Sequence, residues 1–258
     1  MQETQTASPN ENEYEGTWCP EGAPERRLSM PAFDGGAPLG AGKAGTEPGG
    51  GAACGARRSR GRVGGRGRRD LVADQEMTAI LQEVTSRLDA ESIPYMLAGS
   101  FAMLYYALPR MTRDIDLVVQ LDQKDAERIY ELFCKDYYVS LDAIKEAIHT
   151  LRVFNIIHEA AVIKIDFFVI PREGFFDSEF SRRTKVNLLG KAISLISPED
   201  LVISKLMWAR DAGSAQQMAD VANLLMSLQN LDRSYIEAWV AQLGLEEWYE
   251  KCRRDGRA

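Results

Sequence analysis

The spacing of apolar residues changes several times after residue 76, and each change predicts a new element. A first helix is predicted over 77–90, where the helical spacing is carried by Ile80, Leu81, Val84 and Leu88. Short apolar runs rich in β-branched and aromatic residues predict strands over 95–98, 114–119, 137–140, 152–158 and 162–170. Helices are predicted between them over 100–108, 122–133 and 141–150. A hairpin is predicted over 185–189 and 192–195.

The chain after residue 196 is expected to be helical to its end. Ser197-Pro198-Glu199-Asp200 is typical of a helix start, with a serine N-cap, a proline at the first helical position and acids in the first turn. Strands that alternate with helices, followed by helices alone, predict an α+β fold. A mixed sheet is expected over 77–196 and an α-helical bundle over 197–258.

Residues 1–76 have a different composition. An acidic start is followed by a Gly/Arg tract over 55–69, with almost no apolar periodicity. Such a segment cannot bury enough apolar surface to offset the entropy of ordering, so it is predicted to be disordered. Two interpretations stay open. The arginines would suit an RNA-binding arm; alternatively, since Met77 begins the first periodic helix, 1–76 is upstream translated sequence without a selected role.

Charge and composition narrow the class of protein. The formal net charge is −7 even with the arginine tract included, which argues against a broad basic groove for double-stranded nucleic acid. The four cysteines lack metal-ligand spacing, so neither zinc nor a disulfide framework is expected. His149 and His158 are expected to be structural. No apolar stretch has membrane length and no signal-peptide core is present, so a soluble cytoplasmic protein without membrane contact is expected.

Three aspartates stand where buried strands are predicted. Asp114 and Asp116 are two apart, so in a strand both side chains project from the same face. Asp166 is the single acid of the strand over 162–170, where a carboxylate costs free energy unless it is paired or binds a metal. Carboxylates on two strands are the ligands that Mg²⁺ prefers. The alternative for Asp114 and Asp116 is a solvated strand edge.

Gly99-Ser100 lies between a predicted strand and a predicted helix. There, backbone N–H groups and a hydroxyl would bind phosphate at the helix N-terminus, and glycine would let the phosphate approach closely. The alternative is a simple turn or helix cap. Lys205 is the other candidate. At about 100° per residue it falls in the middle of the apolar arc of its helix, so its ammonium either snorkels or reaches a buried anion.

These elements together resemble the nucleotidyltransferase superfamily, whose pattern is Gly-Ser or Gly-Gly, then Asp-x-Asp, then an acid on another strand. Here they are Gly99-Ser100, Asp114-Ile115-Asp116 and Asp166. The segment Arg110-Met-Thr112-Arg113 before the aspartates also resembles the sequence motif of the bacterial abortive-infection toxin branch. In that branch a Lys-Leu pair, an Arg and an Asp follow on two helices, and they match Lys205-Leu206, Arg210 and Asp220.

The resemblance implies a catalytic domain over 77–196 and a mechanism. Two Mg²⁺ ions on Asp114, Asp116 and Asp166 would grip a nucleoside triphosphate (NTP), with Asp166 also the base for an acceptor hydroxyl. Gly99, Ser100, Thr112, Arg113 and Lys205 would bind the nucleotide. RNA (tRNA) or protein is favoured as the acceptor, and a neutralising antitoxin partner is conceivable. Arg210 and Asp220 either share in this or only brace their helices. The rival hypothesis is a non-catalytic nucleotide-binding or antitoxin-like protein that keeps the fold.

Overall fold

The computed structural model describes residues 66–107, 114–188 and 190–255. The predicted nucleotide-binding residues Thr112 and Arg113, and most of the segment 1–76, lie outside this part of the chain. The first helix begins at Arg66, upstream of the predicted start at Met77.

The strands form one seven-stranded sheet in the order β3-β4-β5-β2-β1-β7-β6. In chain order the strands are β1 (Tyr95–Leu97), β2 (Asp114–Val119), β3 (Tyr137–Tyr138), β4 (Val153–His158), β5 (Ile163–Val169), β6 (Thr184–Leu188) and β7 (Lys191–Leu195). The pairs β2–β5 and β1–β7 are parallel, and the other neighbours are antiparallel. The mixed sheet and the predicted strands are therefore confirmed.

In chain order the helices are α1 (Arg66–Ala90), α2 (Gly99–Tyr106), α3 (Ala126–Phe133), α4 (Leu141–Thr150), α5 (Gly174–Ser181), α6 (Pro198–Ala212), α7 (Ala215–Ser227), α8 (Arg233–Gln242) and α9 (Glu246–Asp255). The helices up to α5 alternate with the strands, and α6 to α9 follow the last strand with no further strand between them. A 3₁₀ turn, Gln123–Asp125, precedes α3. None of the described helices is long and apolar enough to cross a membrane. The α+β architecture with a helical C-terminal part is as predicted.

Helix α5 is the one described helix that the apolar spacing did not predict. Its buried residues include Phe175, Phe176 and Phe180, but Glu179 is buried among them. At about 100° per residue, Glu179 falls between the two neighbouring phenylalanines on the helix surface. A charged residue in the apolar arc hides the helical pattern, which is why no helix is predicted over these residues.

Both faces of the central strands are buried, and successive side chains along a strand point to opposite faces. Phe167 of β5 packs towards α3, with its ring centroid 6.1 Å from that of Phe133. Phe168 faces the opposite side and lies 5.2 Å from the ring of Trp208 on α6. Because side chains alternate along a strand, Asp166 lies on the same side as Phe168. The sheet face that carries the aspartates is thus covered by α6.

The start of α6 ties the strand-containing half to the helical half. Ser197 accepts a hydrogen bond from the backbone N–H of Asp200 at 3.1 Å, which confirms the predicted N-cap. Asp200 is fully buried and is bound by Arg182 Nε at 3.0 Å and by the hydroxyl of Tyr235 at 2.7 Å. A buried carboxylate with this many donors is well satisfied, so α5, α6 and α8 are held together at this point.

Candidate functional site

A cavity of about 280 Å³ lies between the sheet and α6. The sheet contributes Asp114, Asp116 and Val118 from β2 and Asp166 and Phe168 from β5. Helix α6 contributes Leu201, Ser204, Lys205 and Trp208, which share one helix face. The turn into α2, Glu179 of α5 and Gln217 of α7 also line it. Charged side chains enclosed beside apolar ones are typical of a ligand site.

The three predicted aspartates meet in this cavity. Strands β2 and β5 are parallel, and their register pairs Asp116 with Asp166 and Asp114 with Lys164. Residues paired across neighbouring strands project from the same face of a sheet, so the carboxylates of Asp114, Asp116 and Asp166 share that face. If Asp166 pointed to the opposite face from Asp116, a common metal site would be excluded. The two side chains point to the same face.

The turn into α2 is shaped around Asp116. The backbone N–H of Ser100 donates to Asp116 Oδ2 at 3.3 Å, so the carboxylate sits at the N-terminus of this helix. Gly99 has a φ of +57°, and a Cβ at this position would lie 1.8 Å from Asp116 Oδ2. Only glycine fits, because both the left-handed backbone and the close carboxylate exclude a side chain.

The environment of Asp116 disfavours the charged form of its carboxyl group. Burial raises its pKa to about 6, with the neighbouring charges of Asp166 and Asp114 adding to the effect. The Ser100 N–H and the ammonium of Lys205 act in the opposite direction. Carboxylates held close together at this cost are a common property of cation-binding and catalytic sites.

Asp166 is paired with a residue that the sequence analysis did not select. Lys164 Nζ lies 2.7 Å from Asp166 Oδ2, and the Asp166 side chain is 3% exposed. Burial raises the pKa of Asp166, and Lys164 opposes the shift. The signal was available in the sequence, since Lys164 is two residues before Asp166 and therefore projects from the same face of β5.

Lys205 is buried and reaches an anion, which is one of the two outcomes that its helical position predicted. Its ammonium donates to Asp220 Oδ2 at 2.8 Å and to Gln217 Oε1 at 3.0 Å, both on α7. Lys205 also lines the cavity, and its charge lowers the pKa of Asp116. Asp220 thus links α6 with α7. Arg210 links α6 with the end of α8, where it donates to the carbonyl oxygen of Leu243 at 2.9 Å.

Glu179 is a buried acid of the cavity that the sequence did not single out. It is 2% exposed and accepts a hydrogen bond from the hydroxyl of Ser204. Burial raises its pKa to about 8, and the charge of Asp200 adds to the shift. Its position in the apolar arc of α5 could have revealed it by the same angular argument that selected Lys205.

The aspartate oxygens of the cavity are suitable ligands for Mg²⁺, although two of the three aspartates contact other groups of the protein. Aspartate oxygens are the hard donors that this ion takes, and three of them share one cavity. In the described residues, no three acidic, histidine or cysteine side chains already converge on one metal position. Asp116 bonds to the turn at Ser100, and Asp166 bonds to Lys164. Both contacts are with cationic or N–H groups that a bound cation would replace.

His149, His158, Cys134 and Cys252 do not line this cavity. His158 Nδ1 accepts the backbone N–H of Ala161 at 3.1 Å in the turn between β4 and β5, and His149 is exposed at the end of α4. The contact of His158 lies within a turn, and the structural role of His149 stays a prediction. Within the described residues, Cys134 and Cys252 are free thiols.

Substitution of Gly99 by Ala is expected to lower stability by about 2–4 kcal/mol, since the left-handed backbone and the clash with Asp116 add together. Gly244→Ala is the matched control, because Gly244 has a φ of +63° but nothing lies within 4 Å of its Cβ position. Chemical denaturation of both variants measures the difference. Equal losses in the two variants would contradict the close contact at Gly99.

Comparison with known proteins gives structural neighbours only. No protein-family model and no curated protein match the chain. An antigenic nucleotidyltransferase-like protein from Paracoccidioides brasiliensis matches with 20% identity over 68% of this chain and 93% of its own, with a TM-score of 0.42. The antibiotic-resistance factor ANT(2'')-Ia matches with 12% identity over 70% and 98%, with a TM-score of 0.46.

A further neighbour is the lincosamide antibiotic adenylyltransferase LnuA. It has 16% identity over 58% of this chain and 95% of its own, with a TM-score of 0.39. Identities and TM-scores are low in all three cases. They show a resemblance of fold, and the chemistry of this chain depends on the residues of its own cavity.

Proposed function

We propose that this protein is a Mg²⁺-dependent nucleotidyltransferase that moves a nucleoside monophosphate from an NTP to an acceptor hydroxyl. One observation carries the proposal: Asp114, Asp116 and Asp166 lie on one face of two parallel strands, in a cavity that also contains the Gly99-Ser100 helix start. Carboxylates beside backbone N–H groups at a helix N-terminus suit a metal-bound triphosphate better than a neutral ligand.

Different residues of the cavity would bind the metal and the triphosphate. Asp114, Asp116 and Asp166 are the residues that would hold the metal, which when bound neutralises phosphate charge and stabilises the charge that develops in phosphoryl transfer. Ser100 offers its N–H and hydroxyl to a phosphate at the start of α2. Lys205 is placed to bind the triphosphate from α6, with Asp220 holding its ammonium in position. Thr112 and Arg113 stay nucleotide-binding candidates by resemblance.

The reaction forms a bond between the acceptor oxygen and the α-phosphorus and breaks the bond to the bridging oxygen, so that pyrophosphate leaves. The acceptor hydroxyl must lose its proton. Asp166 is the carboxylate that we assign to receive it, because it lies beside Asp116 on the strand face that lines the cavity. Lys164 occupies Asp166 Oδ2 and has to move away for this role.

The class of acceptor is proposed from the residues of the sequence motif before and at the aspartates. The segment 110–116 resembles the abortive-infection toxin branch, which favours RNA, such as tRNA, or a protein hydroxyl over an antibiotic. A toxin role would bring a neutralising antitoxin partner. The proposal also takes the protein to act in the cytoplasm.

The contact between Lys164 and Asp166 specifically favours a second candidate function. An ammonium at 2.7 Å neutralises a buried carboxylate without any metal, as it would in a nucleotide-binding or antitoxin-like protein that does not catalyse transfer. The two candidates differ in whether label moves from the nucleotide to an acceptor.

Incubation of the full chain with each α-labelled NTP, Mg²⁺ and either total cellular RNA or total protein tests the proposal directly. We expect label to move to one acceptor class with one or more nucleotides, and EDTA to stop the transfer. Gel separation with and without nuclease or protease identifies the acceptor. Nucleotide binding without transfer to any acceptor would establish the binding protein instead, and absence of both would overturn the assignment.

A further inference from the structure

Lys164 lies on the same sheet face as the three aspartates of the cavity. The parallel register of β2 and β5 pairs Lys164 with Asp114, next to the pair formed by Asp116 and Asp166. Residues paired across neighbouring strands project from one face, and so do residues two apart on a strand. The four side chains are therefore neighbours, three of them anionic and one cationic. The charges of all three aspartates act on the Lys164 ammonium.

The contact between Lys164 and Asp166 has one fixed partner and one movable partner. The Asp166 side chain is 3% exposed and that of Lys164 is 31% exposed, while Nζ and Oδ2 lie 2.7 Å apart. A lysine ammonium is carried by a flexible four-carbon chain, so it can turn towards another anion, whereas the short, buried aspartate stays in place. In the described part of the chain, Asp166 Oδ2 accepts no hydrogen bond of ordinary geometry. Lys164 therefore holds this oxygen by charge, and another cation can replace it.

A metal ion would compete with the Lys164 ammonium for Asp166. Two cations at one carboxylate repel each other, so a metal that binds Asp166 has to displace the ammonium. Without a new partner for Lys164, the loss of the ion pair opposes metal binding. A triphosphate changes this balance. Asp114 and Asp166, the two neighbours of Lys164, line the cavity, so phosphate oxygens bound beside them offer the ammonium another anion.

We propose that Lys164 couples metal binding to triphosphate binding. Without nucleotide its ammonium holds Asp166, and in the presence of a triphosphate it moves to the phosphate oxygens and leaves Asp166 to the metal. The inference rests on the proposed function and concerns the regulation of its site. It follows that metal alone binds weakly, and that each ligand strengthens the binding of the other. By linkage the factor is the same in both directions, so it can be measured on the nucleotide.

Mn²⁺ binding without nucleotide tests the competition. This ion takes the carboxylate ligands that suit Mg²⁺, and its electron paramagnetic resonance reports the bound fraction. We expect Lys164→Met to bind Mn²⁺ about tenfold or more tightly than the parent, because an ion pair no longer has to be broken. Lys164→Met thus gains affinity for a cation by losing its own.

Lys185→Met is the matched control, since it also removes one lysine charge. Lys185 is exposed on β6, the edge strand, and three strands separate β6 from β5. Four strand spacings are about 19 Å, which exceeds the Debye length of about 8 Å at physiological ionic strength. Its Mn²⁺ affinity should therefore stay within about twofold of the parental value.

The coupling itself is measured with α,β-methylene analogues of ATP, CTP, GTP and UTP, which bind without transfer. Calorimetry gives the affinity of each protein for the analogue in EDTA and in saturating Mn²⁺, and the ratio of the two affinities is the coupling factor. Binding of the metal to the nucleotide in solution is the same for every protein, so it cancels between variants. We expect a factor about tenfold smaller in Lys164→Met than in the parent, and a parental factor in Lys185→Met.

Three results would overturn the inference. Unchanged Mn²⁺ affinity in Lys164→Met would show that the ammonium does not compete with the metal. Tighter Mn²⁺ binding with the parental coupling factor would show that Lys164 stays on Asp166 when the nucleotide binds. A parent that binds nucleotide but no Mn²⁺ in either condition would make Lys164 a permanent substitute for the metal.

Folding and the proposed function are checked separately. Thermal melting shows whether Lys164→Met is folded. If it is not, Lys164→Gln takes its place with the same expected results, because its amide is a neutral donor. A parent that binds neither Mn²⁺ nor any nucleotide overturns the proposed function together with this inference, whereas parental binding of both with an unchanged coupling factor in the variant overturns this inference alone.

Discussion

Replacement of Asp116 by Asn is expected to lower nucleotidyl transfer by at least about a thousandfold, because the metal contribution of several kcal/mol is lost. The fold should not suffer. The Asn side-chain oxygen can still accept the N–H of Ser100, and the like-charge repulsion from Asp166 and Asp114 disappears. In the absence of Mg²⁺ the variant should be at least as stable as the parent.

The gain in stability has a defined pH dependence. The pKa of Asp116 is raised from 3.8 to about 6 in the folded protein, so the folded state holds a proton that the unfolded state has lost between these values. The parent is therefore penalised as pH rises through this window, and the gain in Asp116→Asn is absent below about pH 4 and complete above about pH 6. Its size is about 1–3 kcal/mol.

Denaturation at pH 4 and pH 7 without Mg²⁺, together with the transfer assay, measures both effects. Asp142→Asn is the control, since Asp142 is an exposed carboxylate in the first turn of α4 and lies outside the cavity. Transfer at a near-parental rate in Asp116→Asn would show that Asp116 is not a metal ligand. A destabilised variant at pH 7 would show that its charge is compensated in the folded protein.

Lys205→Met is expected to lower stability by about 3–5 kcal/mol, because it removes the cation from a buried ion pair. Asp220 is 3% exposed, and Gln216 Nε2, which donates to it at 3.0 Å, is a neutral group that does not replace the ammonium charge. Nucleotide affinity should fall by about tenfold to a hundredfold, since a hydrogen bond to a charged group is lost. From its sequence position alone, the variant would be expected to fold normally.

The double variant Lys205→Met/Asp220→Asn separates the two effects. Neutralising both partners removes the uncompensated buried charge, so most of the lost stability should return. The loss of nucleotide affinity should persist. Urea denaturation and calorimetry with Mg²⁺ measure the two quantities. Parental NTP affinity in the single variant would return Lys205 to a structural role, and a single variant as stable as the parent would contradict the buried pair.

Local spacing predicted most of the elements because it depends only on residues close in the chain. Alternation and β-branched residues located β2 and β5, and the Ser-Pro-Glu-Asp start located α6. The i, i+2 spacing placed Asp114 and Asp116 on one face. The exception, α5, shows the limit of the method, since the buried Glu179 interrupts the apolar pattern on which the prediction relies.

Residue spacing was enough to predict that Asp114 and Asp116 share one face, that Asp166 is the single acid of its strand, and that Lys205 lies in the apolar arc of its helix. The partners of these residues follow from the packing of elements that are far apart in the chain. The parallel register of β2 and β5 placed Asp116 beside Asp166, and the packing of α7 and α5 against α6 gave Lys205 its Asp220 and Ser204 its Glu179. The physical reason is that backbone geometry sets the direction of a side chain locally. Contacts between elements depend on strand order and helix packing, which involve residues far apart in the chain.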